Sequence, residues 1–472
     1  MENIIKKEID KPKKSGFTCS IGFVLAAAGS AVGVGNVWRF PYLAARDGGG
    51  LFLIIYLCLV LTVGFVLLTT DIALGRKTGK HAWYAFGEAN PKWRFLGKLT
   101  FIVPAMIITY YSVIGGWVLK YATVYCAGQY REAAEEGFFT SFITSPVSPI
   151  VFTLLFLSVT AFIVYMGVEK GIEKSSSFIM PVLLLIIVGI AVYSVTLKYT
   201  DVSGTVRTGI DGLKLYLKPD LEGLTFSKFM NILLDAMSQL FFSLSVSMGI
   251  MVTYGSYVKK DVNLGKSIAQ IEFFDTAVAF LAGMMIIPAI YVFTGTEDMA
   301  SGPSLMFKSL PKVFYSMGKV GIIAGFLFFV MILFAALTSC ISIMETLVGT
   351  CMNIFNKDRK TVSFIIAALS AIGAIIVCFG YNIFYFEVTL PNGTTAQILD
   401  IVDYISNSFL MPLISLLTCI LVGWVLKPKW IAEEMELGNC VFHRKKLYSF
   451  MIKYIVPFIM AVLFVKSTGL FI

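Results

Sequence analysis

Long apolar stretches alternate with short polar segments along the whole chain. Each stretch has at least about 17 residues, the minimum length at which an α-helix crosses about 30 Å of hydrocarbon. The pattern therefore predicts an all-α integral membrane protein with about eleven transmembrane helices. The predicted spans are residues 16–39, 48–70, 99–127, 150–166, 177–197, 229–256, 267–293, 319–351, 361–380, 402–426 and 447–466.

The first predicted span is interrupted by residues that weaken a helix. Its second half begins SAVGVGNVWRFPY, in which Gly33 and Gly35 flank Val34 and Asn36 follows. Glycine costs a helix about 1 kcal/mol relative to alanine, and the bilayer interior holds no water to satisfy freed backbone groups. A break at this depth indicates a cavity whose backbone carbonyls and amides bind a cation and a carboxylate.

The sixth span contains a second break, because the segment from Ser243 to Gly249 is rich in serine and holds a glycine. Spans 1 and 6 are five apart, so the two interrupted helices fall at matching places in two five-span halves. This spacing predicts two inverted five-helix repeats with the binding site between them. The alternative for either break alone is close packing of helices through small residues.

The positions of the basic residues predict the topology. Lysines and arginines concentrate in the N-terminal segment and in alternate loops, which predicts a cytoplasmic N-terminus and, after eleven spans, an extracellular C-terminus. We expect a cytoplasmic tail at 1–15, a transporter core at 16–426, and a cytoplasmic loop with the eleventh span at 427–472. Within the core, spans 1–5 occupy 16–197 and spans 6–10 occupy 229–426.

Composition agrees with a membrane protein and argues against several other classes. The chain is 57% apolar and 14% charged, against about 45–50% and about 25% in soluble domains. Its net charge of +9 is a topology signal, since no soluble domain is left to bind a nucleic acid. His81 and His443 are far apart and indicate no metal site, and no nucleophile–base pair indicates an enzyme. The scattered cysteines imply no external disulfide.

Seven motifs occur in order along the chain. They are SAVGVGNVWRFPY at 30–42, DGGG at 47–50, TYYSVIGGW at 109–117, SQLFFSLS at 238–245, TYGSY at 253–257, FAALTSCISIME at 334–345 and LDIVD at 399–403. Together they resemble the neurotransmitter:sodium symporter family, in particular its bacterial transporters of leucine and other hydrophobic amino acids. The resemblance covers nearly the whole chain. It implies a plasma-membrane symporter that couples sodium entry to amino-acid uptake by alternating access.

The resemblance implies two sodium sites built from oxygens at the helix breaks. The first ion is expected to bind the Ala31 carbonyl, Asn36, Ser243 and Asp275. The second is expected to bind the carbonyls of Gly29, Val32 and Ala335 and the hydroxyls of Thr338 and Ser339. The alternative for these two hydroxyls is a hydrogen bond back to their own helix.

Asp275 departs from the family pattern, because many members carry asparagine at this position. Chloride-dependent relatives place an anion beside the first sodium ion, and the Asp275 carboxylate supplies that charge in place. We therefore expect chloride-independent transport. An unpaired carboxylate in the membrane interior is costly. Protonation of Asp275 after sodium leaves would relieve that cost, so we expect proton counter-transport. The alternative is that Asp275 pairs locally or faces a water-filled path.

The resemblance also implies an α-amino acid as the substrate. Gly33 lies where monoamine-carrying relatives place an aspartate, so the substrate must bring its own carboxylate. The expected pocket is uncharged, which favours large aliphatic or aromatic L-amino acids, and the choice among them stays open. Its predicted residues are Ser30, Ala31, Val34, Gly35, Ile107, Tyr111, Phe242, Ser243, Ser245, Met248, Ser339 and Ile343.

The resemblance further implies two gates. Arg39 and Asp403 match the outer ion pair of the family. The inner closing cluster falls on Lys14, Phe17 and Tyr257.

Two further features concern how the inner side opens. The usual acidic partner of the inner cluster falls at Asn353, which leaves an inner salt bridge in doubt. In span 5, Gly171 and Pro181 match an element that allows the helix between them to unwind. Glu345, inside span 8, has no partner that the sequence identifies.

Two rival functions differ from sodium symport. A transporter-like sensor would bind an amino acid without moving it, but the sequence has no signalling domain and keeps both gates. A proton-driven carrier of the same fold would favour loss of Thr338 and Ser339, and both are present. The expected partners are a small amino acid and the lipid bilayer, and nothing in the sequence indicates an obligate protein partner or a nucleic acid.

Overall fold

The computed structural model describes residues 16–200, 204–295 and 302–469, and these residues are mostly helical. We number the principal helices in chain order. The first ten are α1 Ser20–Ala31, α2 Val34–Arg46, α3 Gly50–Thr78, α4 Ala82–Ala89, α5 Pro91–Cys126, α6 Tyr130–Ala134, α7 Phe138–Thr144, α8 Ser148–Tyr165, α9 Val168–Thr196 and α10 Gly209–Leu217. The remaining nine are α11 Phe226–Ser243, α12 Ile250–Ser256, α13 Leu264–Thr294, α14 Leu310–Ser316, α15 Lys319–Phe355, α16 Arg359–Phe379, α17 Ile398–Val425, α18 Lys429–Met435 and α19 Lys445–Ser467.

Two small antiparallel hairpins complete the secondary structure. They pair β1 Lys198–Thr200 with β2 Val206–Thr208, and β3 Val388–Thr389 with β4 Thr395–Ala396. The first lies between α9 and α10 and the second between α16 and α17, and they are separate two-stranded sheets, so they do not form a core sheet.

The helices account for the predicted spans. Across the described ranges, nine helices are long and apolar enough to cross a bilayer, and the pair α1 and α2, bent by 54°, makes a tenth. The remaining predicted span, 229–256, consists of α11 and α12 with a break over residues 244–249. The prediction of an all-α membrane protein with about eleven spans and broken helices 1 and 6 is therefore confirmed.

The first break lies at Val32 and Gly33, where the backbone becomes extended. The Gly33 amide donates a hydrogen bond to Asn36 Oδ1 at 3.1 Å, so the first turn of α2 satisfies one of its own free groups. A Cβ atom on Gly33 would lie 3.1 Å from both the Ser339 and the Tyr111 hydroxyl oxygens. Glycine at this position therefore lets neighbouring helices approach the break closely.

The second break has a left-handed backbone at three positions. Ser245, Ser247 and Gly249 have φ angles of 52°, 62° and 79°. Serine in this region is strained, and such strain persists only where the surroundings hold it. The Ser247 amide donates to Asp71 Oδ2 at 2.8 Å, and the Ser245 hydroxyl donates to the Ser30 carbonyl at 2.9 Å. These contacts fasten the break to α3 and to the end of α1.

Long helices surround both breaks. Helix α13 packs against α1 and α2, α15 packs against α1 and along α5, and α11 packs against α2. Large apolar side chains such as Phe178, Leu185 and Phe364 are exposed on the outside of the bundle, as expected of a surface in contact with lipid. The two breaks therefore lie in the protein interior, where their polar groups find partners.

Candidate functional site

A cavity lies between the two helix breaks. It is lined by Ser30, Ala31, Gly33, Gly35, Asn36, Ile107, Tyr111, Phe242, Ser245, Met248, Ser339, Ile343 and Asn407. These include all the predicted pocket residues except Val34 and Ser243. Val34 is buried beside the cavity with its amide 3.4 Å from the Tyr111 hydroxyl, and Ser243 turns toward Asp275 instead.

One end of the cavity is polar because backbone groups of the first break face it. Helix α2 begins at Val34 and presents the positive end of its dipole, which favours a carboxylate. The Ser30 carbonyl accepts hydrogen bonds from Ser245 Oγ at 2.9 Å and Ser339 Oγ at 3.2 Å. The Ser30 hydroxyl is buried and has no hydrogen-bond partner among the described residues. This end offers donors and acceptors suited to the two charged groups of an amino acid.

The other walls of the cavity are apolar. Ile107, Phe242, Met248 and Ile343 contribute aliphatic, aromatic and thioether surface. The Phe242 ring covers Gly35 so closely that a Cβ atom on this glycine would overlap it. None of the residues that line the cavity is charged. The walls therefore suit an uncharged, bulky side chain.

Asp275 lies at the centre of a buried polar cluster beside the first break. Its Oδ1 accepts hydrogen bonds from Asn36 Nδ2 at 2.8 Å and from Ser243 Oγ at 2.7 Å. Its Oδ2 is buried and accepts no hydrogen bond in the part of the chain that the structure describes, and the buried Tyr56 hydroxyl lies near the same carboxylate. A buried carboxylate oxygen without a partner is costly, and a bound cation would remove that cost. The residues thus suit the first predicted sodium ion.

A second group of oxygens lies between α1 and α15. Ser339 Oγ is 3.2 Å from the Ser30 carbonyl oxygen and 3.4 Å from that of Val32. Thr338 Oγ1 donates to the Phe334 and Ala335 carbonyls of its own helix, at 3.0 and 3.1 Å. This back-bonding is the alternative stated for Thr338.

The two helices approach closely at the same place. A Cβ atom on Gly29 would be 3.2 Å from Thr338 Cβ. The five predicted ligands of the second sodium ion therefore lie on two helix segments in near contact.

The predicted outer pair, Arg39 and Asp403, is not in direct contact. Arg39 Nη2 donates to Ser238 Oγ at 2.8 Å, and Asp403 Oδ1 accepts from Asn407 Nδ2 at 2.6 Å. The ion pairs of the described residues do not include this pair. The charges of Arg39 and Asp403 are close enough to interact electrostatically. Each side chain nevertheless forms its hydrogen bond with an uncharged residue.

We call the side of the molecule where α1 begins the inner side, which the charge pattern predicts to be cytoplasmic. Lys14 lies outside the described residues. The Phe17 ring packs against Tyr254 and Tyr257, with ring centroids 5.5 and 6.2 Å apart. The Tyr257 hydroxyl donates to Glu345 Oε1 at 2.6 Å. Phe17 and Tyr257 therefore form one cluster at the inner side.

Glu345 supplies the acidic group of this cluster. The Arg359 guanidinium binds it through both terminal nitrogens, at 2.6 and 2.9 Å, and Glu345 is fully buried. Asn353 donates to the Gly349 carbonyl of its own helix at 2.9 Å. The charged pair on the inner side thus joins α15 to α16. The sequence did not identify it, because Arg359 is on a separate helix whose approach depends on tertiary packing.

A second inner contact, also missed from the sequence, links α9 to the start of α1. Glu173 is buried and accepts hydrogen bonds from the Thr18 amide at 2.9 Å and the Thr18 hydroxyl at 2.5 Å. Lys259 Nζ donates to the Thr18 carbonyl at 2.9 Å. We call Thr18, Glu173 and Lys259 the inner latch.

The latch lies next to the predicted unwinding element of span 5. In this structure the residues from Gly171 to Pro181 are helical, with a π-helical turn over Val168–Glu173. Glu173 is the last residue of that turn. Any unwinding between Gly171 and Pro181 would therefore displace the carboxylate that binds Thr18, just before α1.

The chain is similar to known sodium-dependent transporters over nearly its whole length. A model of the sodium:neurotransmitter symporter family matches residues 14–129 and 144–471. An uncharacterized sodium-dependent transporter of Bacillus subtilis, YhdH, is 32% identical over 95% of this chain and 97% of its own. One from Haemophilus influenzae is 31% identical over 94% and 96%. A crystal structure of MhsT in complex with L-phenylalanine has a TM-score of 0.83 and 33% identity, covering 96% of this chain and 100% of that one.

Proposed function

Since the chain belongs to the sodium:neurotransmitter symporter family, a family of sodium-dependent transporters and not of enzymes, we propose that it imports large aliphatic or aromatic L-amino acids. The observation that carries the proposal is an uncharged cavity with backbone donors and acceptors at one end and apolar walls elsewhere. Strongly polar side chains would leave buried groups unpaired against those walls. The MhsT structure, which holds L-phenylalanine, agrees with this substrate class.

Two sodium ions are proposed to travel with the substrate. The first is held by Asp275, Asn36, Ser243 and the Ala31 carbonyl, and the buried Oδ2 of Asp275 supports this assignment. The second is held by Thr338 and Ser339 together with the carbonyls of Gly29, Val32 and Ala335. Sodium favours such hard oxygen ligands. Both ions thus bind at the end of α1, where each contributes to holding the first break in place.

Chloride independence follows from the charge of Asp275. The carboxylate offsets one of two bound cations, so no external anion is needed beside the first sodium ion. When sodium leaves, the same carboxylate is buried with one free oxygen, and a proton taken up from the inner side would neutralise it. The proposed cycle therefore returns a proton outward while sodium and the amino acid move inward.

The proposed orientation places the N-terminus in the cytoplasm and the C-terminus outside the cell, in the plasma membrane. The excess of basic residues in the N-terminal segment and alternate loops supports it. In this orientation the inner latch and the Glu345–Arg359 pair face the cytoplasm. Arg39 and Asp403 lie toward the outside, so the cavity lies between two closures that can open in turn.

Uptake into proteoliposomes tests the proposal. Vesicles loaded with potassium chloride or gluconate receive labelled leucine, phenylalanine or lysine, with external sodium or potassium and with chloride or gluconate. We expect sodium-dependent accumulation of leucine and phenylalanine but not lysine, equal in chloride and gluconate. Accumulation without sodium would overturn the ion assignment. Sodium-dependent binding without accumulation would identify an amino-acid sensor instead.

A further inference from the structure

Asn407 contributes a side chain to the cavity wall that sequence reasoning did not include. Its Nδ2 donates to Asp403 Oδ1 at 2.6 Å and to the Tyr110 hydroxyl at 2.8 Å. These two bonds use both N–H groups of the amide. An ionised carboxylate only accepts hydrogen bonds, so the flipped amide would set oxygen against oxygen. The Asp403 carboxylate therefore fixes the orientation of the Asn407 amide, with Nδ2 facing Asp403 and Oδ1 facing away from it.

Asn407 Oδ1 is buried and accepts no hydrogen bond from any described residue. A buried acceptor without a donor costs free energy. No polar side chain of the cavity lining donates to it: the Ser245 and Ser339 hydroxyls donate to the Ser30 carbonyl. The Tyr111 and Ser30 hydroxyls also line the cavity and form no hydrogen bond with Asn407. Ile107 and the other apolar wall residues have no side-chain donor. A donor on a molecule bound in the cavity that Asn407 lines would satisfy this oxygen.

We propose that Asn407 Oδ1 is a specificity-determining acceptor for a hydrogen-bond donor on the side chain of the transported amino acid. The inference rests on the proposed function, because it assumes that the ammonium and carboxylate groups bind at the first break. Two large, mainly apolar amino acids carry such a donor, tryptophan through its indole N–H and tyrosine through its hydroxyl. Leucine, methionine and phenylalanine leave Oδ1 unpaired. The site therefore selects tryptophan and tyrosine within the large hydrophobic class.

The test compares two ligands of nearly equal shape. Competition against labelled phenylalanine is measured on the purified full chain in sodium, with L-tryptophan and with 3-benzothienyl-L-alanine, in which sulfur replaces the indole N–H. We expect wild type to bind tryptophan at least about tenfold more tightly, since a site that hydrogen-bonds a substrate N–H rejects analogues lacking it. In Asn407→Leu, which keeps the volume and removes the acceptor, the ratio of the two affinities should fall to about one.

Ser415→Ala is the matched control. Ser415 lies on the same helix, α17, and its hydroxyl is buried without a described hydrogen-bond partner. Unlike Asn407, it does not line the cavity. The tenfold ratio should persist in this variant. A ratio that disappears here too would show that any disturbance of α17 abolishes selectivity, and would overturn the specific role of Asn407.

Three outcomes separate this inference from the proposed function. Equal affinities for the two ligands in wild type, with sodium-dependent phenylalanine uptake intact, would overturn the inference alone and need no variant. A ratio that persists in Asn407→Leu while both affinities fall would assign Asn407 to the support of Asp403 instead. Absence of sodium-dependent accumulation of every large hydrophobic amino acid would refute the proposed function itself.

Discussion

The side-chain amide of Asn36 donates a hydrogen bond to the Asp275 carboxylate, with Asn36 Nδ2 2.8 Å from Asp275 Oδ1. The same amide accepts a bond from Gly33 at its other end, where Oδ1 is 3.1 Å from the backbone nitrogen. Asn36 therefore links the carboxylate on α13 to the glycine that breaks the first span. A cation bound at Asp275 would hold Asn36 and, through it, the polar end of the cavity. This connection gives a physical route for coupling sodium binding to substrate binding.

Neutralising Asp275 tests the source of chloride independence. Asp275→Asn keeps the size of the side chain but removes the charge that offsets the first cation. We expect sodium-dependent uptake in gluconate to fall at least about tenfold, equivalent to 1.4 kcal/mol, and external chloride to restore part of it. The measurement is initial uptake in the two anions. Asp211→Asn, which removes a partly exposed carboxylate that is paired with Lys214 and does not line the cavity, should change neither rate.

The second sodium site is tested on α15. Thr338→Ala and Ser339→Ala each remove one proposed ligand, so the sodium concentration for half-maximal uptake should rise about tenfold or more while leucine affinity at saturating sodium changes less. Thr346→Ala is the matched control, because its hydroxyl is buried on the same helix and donates to the Ser342 carbonyl at 2.9 Å. An equal rise in all three variants would indicate a general loss of helix packing rather than a lost ligand.

The two breaks could be predicted from the sequence because their causes are local. Gly33 and the serine-rich segment before Gly249 weaken a helix wherever they occur, and hydrocarbon makes such weak points informative. The resemblance then supplied residues that share one cavity, including Tyr111 on α5 and Ile343 on α15. These positions are what the resemblance implies, residue by residue.

The contacts that sequence reasoning missed depend on geometry that α-helical periodicity does not predict. Asn407 lies in a π-helical turn, Tyr404–Leu410, which adds a residue to the turn and changes which side chains face the cavity. Glu345 and Arg359 pair across two helices, and Glu173 reaches Thr18 over a separation of 155 positions. No local pattern marks such partners, because each contact joins separate segments of the chain whose approach depends on tertiary packing.

The Tyr257 hydroxyl bond to Glu345 should stabilise the closed inner side. Tyr257→Phe removes a bond to a charged group, typically about 1.5–3 kcal/mol, so the inward-open population should rise about tenfold or more. The reporter is a cysteine at position 267, introduced as Ser267→Cys in a chain whose exposed cysteines are replaced by serine. The Ser267 side chain is buried behind α1, with its hydroxyl oxygen 3.3 Å from Ser20 Oγ. We expect the rate at which maleimide labels this cysteine to rise by about the same factor.

Tyr254→Phe provides the comparison for this prediction. Tyr254 also packs on Phe17, but its hydroxyl bonds a neutral group, Ser342 Oγ, at 2.8 Å. Neutral bonds contribute about 0.5–1.5 kcal/mol, so labelling of the reporter should rise less. Equal acceleration by both variants would mean that ring packing, and not the charged bond, keeps the inner side closed.

Glu173, the residue of the inner latch that lies on α9, should also control the opening of the inner side. Glu173→Gln retains the shape but weakens two charge-assisted bonds to Thr18, so labelling of the Ser267→Cys reporter should increase and sodium should suppress it less. Thr18→Val removes the hydroxyl side of the latch, and the double variant tests whether the two act together. If both work through the same contact, the double variant should label no faster than Glu173→Gln alone. Rates that multiply would instead show independent effects, and would mean that Glu173 does not act on the opening through its contact with Thr18.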